Sequence, residues 1–492
     1  MTDSEAAGDI ELRSRLGRTV VGTTVLGSAV AMLTATVVNV ALPALAVDLE
    51  ASTAAQQWVV NAYMLSIASL ILVGGAMGDR YGRVRIYEIG VAWFGVASLL
   101  CAIAPTVEFL IVARLLQGIG GALLTPGSLA IIQASLRPDD RSEGVGAWSG
   151  LGGIAGAIGP LVGGLLVDVA NWRWVFLLNL PLVLAVLVLS RSIPESSSSD
   201  HDHPLDWWGA VWSVVVLGAL SYAFIAAGDG VGPLELVLAV VTVLALVALV
   251  VVERRHPAPL LPIGLFADRT FAGANLITLI LYGGMGVVFF LLTVNLQVVG
   301  GWSALEAGSA MLPVTVLMLL FSSRAGALAK RIGPRIPLTV GPLLIAGGMV
   351  LLSRIGESPN WLTDVAPGAI VFGGGLALSV APVTATVLAS VPDDQMGAAS
   401  GVNNAVSRTG GLLTVAGVPA LVGLSGDGLS DPVLLGESYG DAVLVGAALV
   451  AASALIAWLT LGTTDEVPCL DLEEGLSCPV DGTTSLVGAT AD

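Results

Sequence analysis

The sequence predicts an all-α polytopic membrane protein: two related six-helix halves with an inserted two-helix hairpin, fourteen transmembrane helices in all. Three observations predict it. With 55% hydrophobic and 12% charged residues among 492, and a mean hydropathy of +0.89, the chain is too apolar and too long for a single soluble core. Apolar runs long enough to cross a hydrocarbon core about 30 Å thick, roughly 20 residues each, recur from end to end. They are continuous in Leu, Val, Ala and Gly, whereas a membrane β-barrel alternates apolar and polar positions over about ten residues. Finally, two motifs occur twice at nearly the same offset. Gly75-Ala-Met-Gly78-Asp79-Arg80-Tyr-Gly82-Arg83-Val-Arg85 returns, degraded, at 326–335, and Ala134-Ser-Leu-Arg-Pro-Asp-Asp140 returns as Ala389-Ser-Val-Pro-Asp-Asp394.

The elements follow in order. Span 1 (20–46) succeeds a polar segment, Met1 to Gly17, that has no cleavable signal pattern, so the span is expected to remain as an anchor. Span 2 (54–77) ends at the basic loop motif, and spans 3 (86–104) and 4 (108–133) follow across a short loop. Span 5 (144–168) is glycine-rich, and span 6 (173–191) opens at Trp172-Arg173-Trp174. The run Ser196-Ser-Ser-Ser199-Asp-His-Asp-His203-Pro204 then has the composition of a linker. Its Asp/His alternation could attract a divalent metal only weakly, so no metal site and no cofactor are expected. Spans 7 (207–228) and 8 (233–252) fall outside the repeat and form the inserted hairpin. Spans 9 to 14 (270–299, 304–325, 335–355, 363–391, 396–424 and 439–462) echo the first six. The predicted organisation is therefore an N-terminal segment 1–18, a first half 19–192, a linker 193–205, the hairpin 206–253, a linker 254–269, a second half 270–462 and an acidic tail 463–492. The tail has no apolar period and is expected to be disordered.

Basic residues in short loops stay on the cytoplasmic side. An N-terminus inside places Arg80, Arg83, Arg85, Arg137, Arg141, Arg191, Arg254, Arg255, Lys330, Arg331 and Arg335 there, and leaves only Arg173 and Arg354 outside. The outer loops carry acids instead, among them Asp48, Glu50, Glu306 and Asp431. Both termini are expected in the cytoplasm. One lysine among twenty basic residues, with abundant Ala, Gly and Val, points to a GC-rich bacterial genome and hence a bacterial cytoplasmic membrane. The net charge of −17 argues against a nucleic-acid partner. Three cysteines, one in a span and two in a predicted cytoplasmic tail, make no disulfide framework. Neither a phosphate-binding glycine loop nor a nucleophile elbow in a suitable setting is present, so an enzyme is not expected and the energy source must be a gradient.

Several residues stand out physically. Asp79 closes span 2 beside Arg80, Arg83 and Arg85, where surface charges can latch helix ends together. Gly150, Gly152, Gly153, Gly156, Gly159, Gly163 and Gly164 on span 5 permit close helix approach, and Pro160 bends the helix. Arg114 lies inside span 4, where a charge costs roughly 2.5–3.5 kcal/mol and usually faces a cavity or a partner; snorkelling is the plain alternative. Gln117 shares its face one turn on. Asn39, Asn61, Tyr63, Asn179, Asn275, Tyr282, Asn295, Gln297, Asn403 and Asn404 complete the polar set within spans. Each alone is more often structural than ligand-binding, and Asn61, Tyr63, Asn275 and Tyr282 are the candidates for lining a cavity.

The loop at 75–85, Arg114-Leu-Leu-Gln117-Gly118-Ile-Gly120-Gly121-Ala122, Gly156-Ala-Ile-Gly159-Pro160-Leu-Val-Gly163-Gly164 and Trp172-Arg173-Trp174-Val-Phe-Leu-Leu-Asn179-Leu-Pro181 together resemble the major facilitator superfamily, specifically its fourteen-span drug:proton antiporter group (QacA/EmrB-like), over about residues 19 to 462. The resemblance implies export of amphipathic, drug-like compounds against protons by a monomer in the lipid bilayer. It also implies that Gly75, Gly78, Asp79, Arg80, Gly82, Arg83 and Arg85 lock the cytoplasmic side of the outward-open state, and that Gly156, Gly159, Pro160, Gly163 and Gly164 form the antiporter signature. Val84 and Lys330 depart from the loop pattern. A larger departure lies in Leu33-Thr34-Ala-Thr-Val-Val-Asn39-Val-Ala-Leu-Pro43, where threonine replaces the acid implied in proton handling. Either coupling is lost or moves to Asp168, Asp206, Asp229 or Glu88, or Arg114 is left to receive an anionic substrate. The competing functions are a carrier for one cellular product with altered ion coupling, and a non-transporting membrane sensor.

Overall fold

A helix satisfies its own backbone hydrogen bonds and so can present apolar side chains to lipid on every face. The computed structural model describes residues 10–196, 205–230, 232–392 and 395–462, and its long elements are all helices: α1 (Arg15–Leu49), α2 (Thr53–Tyr81), α3 (Arg83–Ala102), α4 (Val107–Ser135), α5 (Pro138–Val169), α6 (Trp174–Ser190), α7 (Trp207–Ala226), α8 (Pro233–Arg255), α9 (Arg269–Val298), α10 (Ala304–Ile332), α11 (Arg335–Leu352), α12 (Trp361–Ala389), α13 (Met396–Leu421) and α14 (Pro432–Thr460). Short polar side chains start many of them. Ser14, Ser52, Thr106, Asp206, Asp268, Ser303 and Asp431 each accept a hydrogen bond from a first-turn N–H.

A helix stands at every predicted span, and among the described residues eleven are long and apolar enough to cross a membrane. The exceptions are α5, α6 and α13. In α5 the apolar stretch shortens to Ile154–Val169, α6 is short, and α13 carries Asn403, Asn404, Ser407 and Arg408. Both α5 and α13 pack between the halves, where a helix faces protein and needs less apolar surface. The predicted ends also shift: α5 begins at Pro138 and α14 at Pro432, both before the apolar run, because cap and first turn are polar. Asp200 to His203, Cys469, Cys478 and the acidic tail lie outside the described residues.

The packing repeats in the two halves. In the first, α1 packs on α5, α4 on α2 and α3, and α6 on α1 and α3; in the second, α9 packs on α13, α12 on α10 and α11, and α14 on α9 and α11. The halves meet where α2 packs on α13, α5 on α10 and α1 on α9. The hairpin closes on itself, α7 against α8, and α7 alone reaches both halves, through α2 and α13.

Candidate functional site: an inter-half cavity and a buried polar network

A cavity of about 580 Å³ lies between the halves, walled by α1, α5, α9, α10 and α12. Its polar lining is Thr36, Asn39, Thr293, Thr315, Ser322 and Ser323, and its apolar lining includes Val288, Phe289, Leu292, Met311, Val314, Met318 and Leu376. Among the described residues no charged side chain lines it. Such a wall offers area and polarisable thioethers to an apolar ligand, with a few hydroxyl and amide groups to orient it.

The glycines of α5 position this wall. A Cβ at Gly159 would sit 2.3 Å from Thr36 Oγ1, and one at Gly163 2.6 Å from Val37 Cγ1, so α5 lies directly on α1. Gly164 meets Ala304 O at 2.4 Å by the same measure, which brings α5 against the start of α10. The Thr36 hydroxyl lies 3.1 Å from the Gly156 carbonyl, and Pro160 stands within the helix against Gly308 of α10.

At the acidic end of the bundle the halves are tied together. Asp168 accepts hydrogen bonds from the Ala304 and Leu305 N–H groups at 3.1 and 2.9 Å, a carboxylate on the N-terminus of α10. Gln57 of α2 donates to the Val415 and Ala416 carbonyls of α13 at 2.7 and 3.0 Å, and the Thr53 N–H donates to the Gly426 carbonyl at 2.7 Å. Asn39 donates to the Phe289 carbonyl at 2.9 Å and Gln297 to the Val40 carbonyl at 3.0 Å, so both link α1 to α9 across the cavity roof. Toward the basic end the cavity reaches Gly146 and Gly326.

Arg114 is placed away from this cavity, 1% exposed within the first half. Its Nε donates to the Val59 carbonyl at 3.0 Å, its Nη1 donates to Gln117 Oε1, and its guanidinium lies 4.3 Å from the centre of the Tyr63 ring. Gln117 Nε2 donates to Ser98 Oγ at 2.8 Å, Asn179 Nδ2 reaches the same hydroxyl at 3.3 Å, and the Thr34 hydroxyl lies 3.1 Å from Asn179 Oδ1. A chain of polar contacts therefore runs Arg114–Gln117–Ser98–Asn179–Thr34, and among the described residues Arg114 has no ion pair. Tyr63 donates to the Ala31 carbonyl at 3.0 Å. Asn275 accepts from Asn403 at 3.2 Å, and Tyr282 is half-buried on α9. Asn61 and Asn295 are buried with no hydrogen-bond partner for either amide atom among the described residues. Asn61, Tyr63, Asn275 and Tyr282, expected to line a cavity, do not line this one; of the other polar residues singled out within spans Asn39 does, with Gly156 and Pro160 of the glycine motif.

At the loop motif, Asp79 pairs with Arg83 at 2.8 Å, within its own half. The carboxylate on the N-terminus of α3 is instead Glu195, whose oxygens accept from the Val84 and Arg85 N–H groups at 3.0 and 2.9 Å. Gly82 permits this: its φ is +106°, and a Cβ there would lie 2.7 Å from the Glu195 carboxyl carbon. Arg173, one of the two arginines assigned to the acidic end, pairs with Asp48 at 2.6 Å beside Trp172.

The sequence model described as Major Facilitator Superfamily matches residues 24–415. The chain is 36% identical over 452 residues to the puromycin resistance protein pur8 of Streptomyces alboniger, covering 88% of this chain and 89% of the relative. It is 33% identical over 468 residues to the methylenomycin A resistance protein of Bacillus subtilis (92% and 96%), and 32% identical over 395 residues to the tetracenomycin C resistance and export protein of Streptomyces glaucescens (80% and 73%). Among solved structures, a bacterial homolog of the human lysosomal transporter Spinster superposes with TM-score 0.65 at 17% identity, covering 91% of this chain and 97% of that one. The xylose transporter XylE from E. coli superposes with TM-score 0.63 at 16% identity (92% and 97%).

Proposed function

From the membership of this chain in the major facilitator superfamily, we propose that it exports amphipathic, drug-like molecules across a bacterial cytoplasmic membrane by alternating access. Family and fold are those of transporters and not of enzymes. The observation that carries the reading is the uncharged, Met- and Phe-containing cavity between the halves, tied shut at the acidic end by Asp168 on α10 and reaching the basic end. With the basic end in the cytoplasm, this is the state that loads substrate from inside. All three relatives named above are resistance proteins, which supports a small-molecule cargo. Fourteen crossing helices of the QacA/EmrB kind, a monomer, cytoplasmic termini and proton coupling complete the proposal. The Asp79–Arg83 pair fits a latch that is disengaged in this state.

An anionic substrate on Arg114 is not favoured, because that guanidinium is engaged within the first half and lies outside the cavity. The test is accumulation of a fluorescent lipophilic compound in an efflux-deficient host expressing the protein, with and without a protonophore, against a Gly159→Leu control. Lower accumulation than in the control, restored by the protonophore, is expected. Equal accumulation at equal membrane expression overturns the proposal.

A further inference from the structure

Two buried carboxyl groups outside the cavity face each other at the foot of the hairpin. Asp206 and Glu253 are 2% and 3% exposed. Each uses one oxygen: Asp206 Oδ1 accepts from the Gly209 N–H at 2.7 Å, capping α7, and Glu253 Oε2 accepts from the Leu261 N–H at 2.9 Å, holding the strap that follows α8. The other two oxygens, Asp206 Oδ2 and Glu253 Oε1, are buried with no hydrogen-bond partner among the described residues. They flank one point, since a Cβ at Gly209 would lie 2.6 Å from the first and 2.7 Å from the second. A glycine is thus what leaves room for the pair.

Two buried carboxyl oxygens this close and without partners repel each other unless a proton or a cation lies between them. The titratable side chain facing Glu253, apart from Asp206, is His256, whose Nδ1 is engaged by Ala258 at 2.8 Å. Arg254 and Arg255 are exposed, as are Asp268 and Arg269 beyond the strap, and among the described residues neither acid has an ion pair. Two carboxyl groups with one free oxygen each are too few ligands for a divalent ion but suffice for a proton.

We propose that Asp206 and Glu253 form a proton-binding site, with one proton shared between Oδ2 and Oε1, that fastens the start of α7 to the end of α8 and its strap. The site has a route to the rest of the molecule. Tyr222 of α7 packs on Trp58 of α2 with ring centres 6.1 Å apart, and Phe224 lies 3.5 Å from where a Cβ on Gly417 of α13 would stand. Loss of the proton therefore loosens the hairpin helix that touches both halves.

The test does not depend on transport. Infrared spectra of the purified full-length protein in lipid nanodiscs are recorded through a pH titration, for wild type, Asp206→Asn and Glu253→Gln. A protonated-carboxyl carbonyl band persisting at neutral pH is expected in wild type and lost in either variant, because the new amide donates in place of the proton. A carboxyl group held protonated raises the folded state's proton affinity, so stability is full below the ordinary carboxylate range and falls as pH rises. The thermal midpoint of wild type should fall as pH rises from that range through the pH at which the band disappears, and that of each amide variant should be flatter. Absence of the band from wild type overturns the proposal whether or not the variants fold; so does a band that survives both substitutions.

Discussion

Thr34 occupies the position at which the family resemblance places an acid, and its hydroxyl reaches Asn179 at the end of the polar chain from Arg114. Thr34→Asp puts a carboxylate on that chain, so efflux is expected to become more steeply pH-dependent; an unchanged pH profile would separate span 1 from coupling. Arg114 has a more structural part. Removing its guanidinium leaves Gln117 Oε1 with only the weak Cys101 thiol donor at 3.9 Å and takes from the Val59 carbonyl its donor from outside α2, a loss of about 1–3 kcal/mol in all. Arg114→Lys keeps the charge but loses the fork and the stacking on Tyr63, so a lowered thermal midpoint is expected even for this substitution. Asp168→Asn weakens the seal on α10 by roughly 0.3–1 kcal/mol. A cysteine placed at Ser322 should then react less readily with a membrane-impermeant thiol reagent from the basic side, as the population moves away from the state described.

At the scale of the element, α5 is the helix whose sequence most directly dictates its neighbours. Gly159→Leu and Gly163→Leu drive a side chain into Thr36 and Val37, and overpacking of this kind costs about 1–3 kcal/mol or more. Efflux should fall to background in both, with membrane expression as the control. The glycine and proline pattern made this helix legible, as the apolar runs did the others and the repeated loop motif did the two halves. What could not be read were partners far apart in sequence. Glu195 sits in a linker and caps α3 across more than a hundred residues, and nothing local to it signals that role. Asn39 and Gln297 were legible only as polar groups more often structural than ligand-binding, and which backbone carbonyls they reach on the opposing helix was not, because a polar side chain in a membrane takes the nearest acceptor. Methionines such as Met311 and Met318 carry no periodic signal that separates cavity from lipid.

At the scale of the molecule, two halves close at one end around an uncharged cavity. The halves meet through α2 with α13, α5 with α10 and α1 with α9, and the hairpin helix α7 leans on both. The ties at the acidic end are few and polar, of the kind that can exchange for a latch at the other end as the halves rock. The measurement that bears on this most directly is transport of a fluorescent lipophilic compound into proteoliposomes holding the purified protein under an imposed pH gradient, compared with Ser322→Trp, which projects a bulky indole into the cavity. Gradient-dependent uptake by wild type, lost in the tryptophan variant with folding retained, is the predicted result. Uptake that is equal in the two proteins would contradict a route through this cavity, and no uptake above protein-free liposomes would contradict the transport function itself.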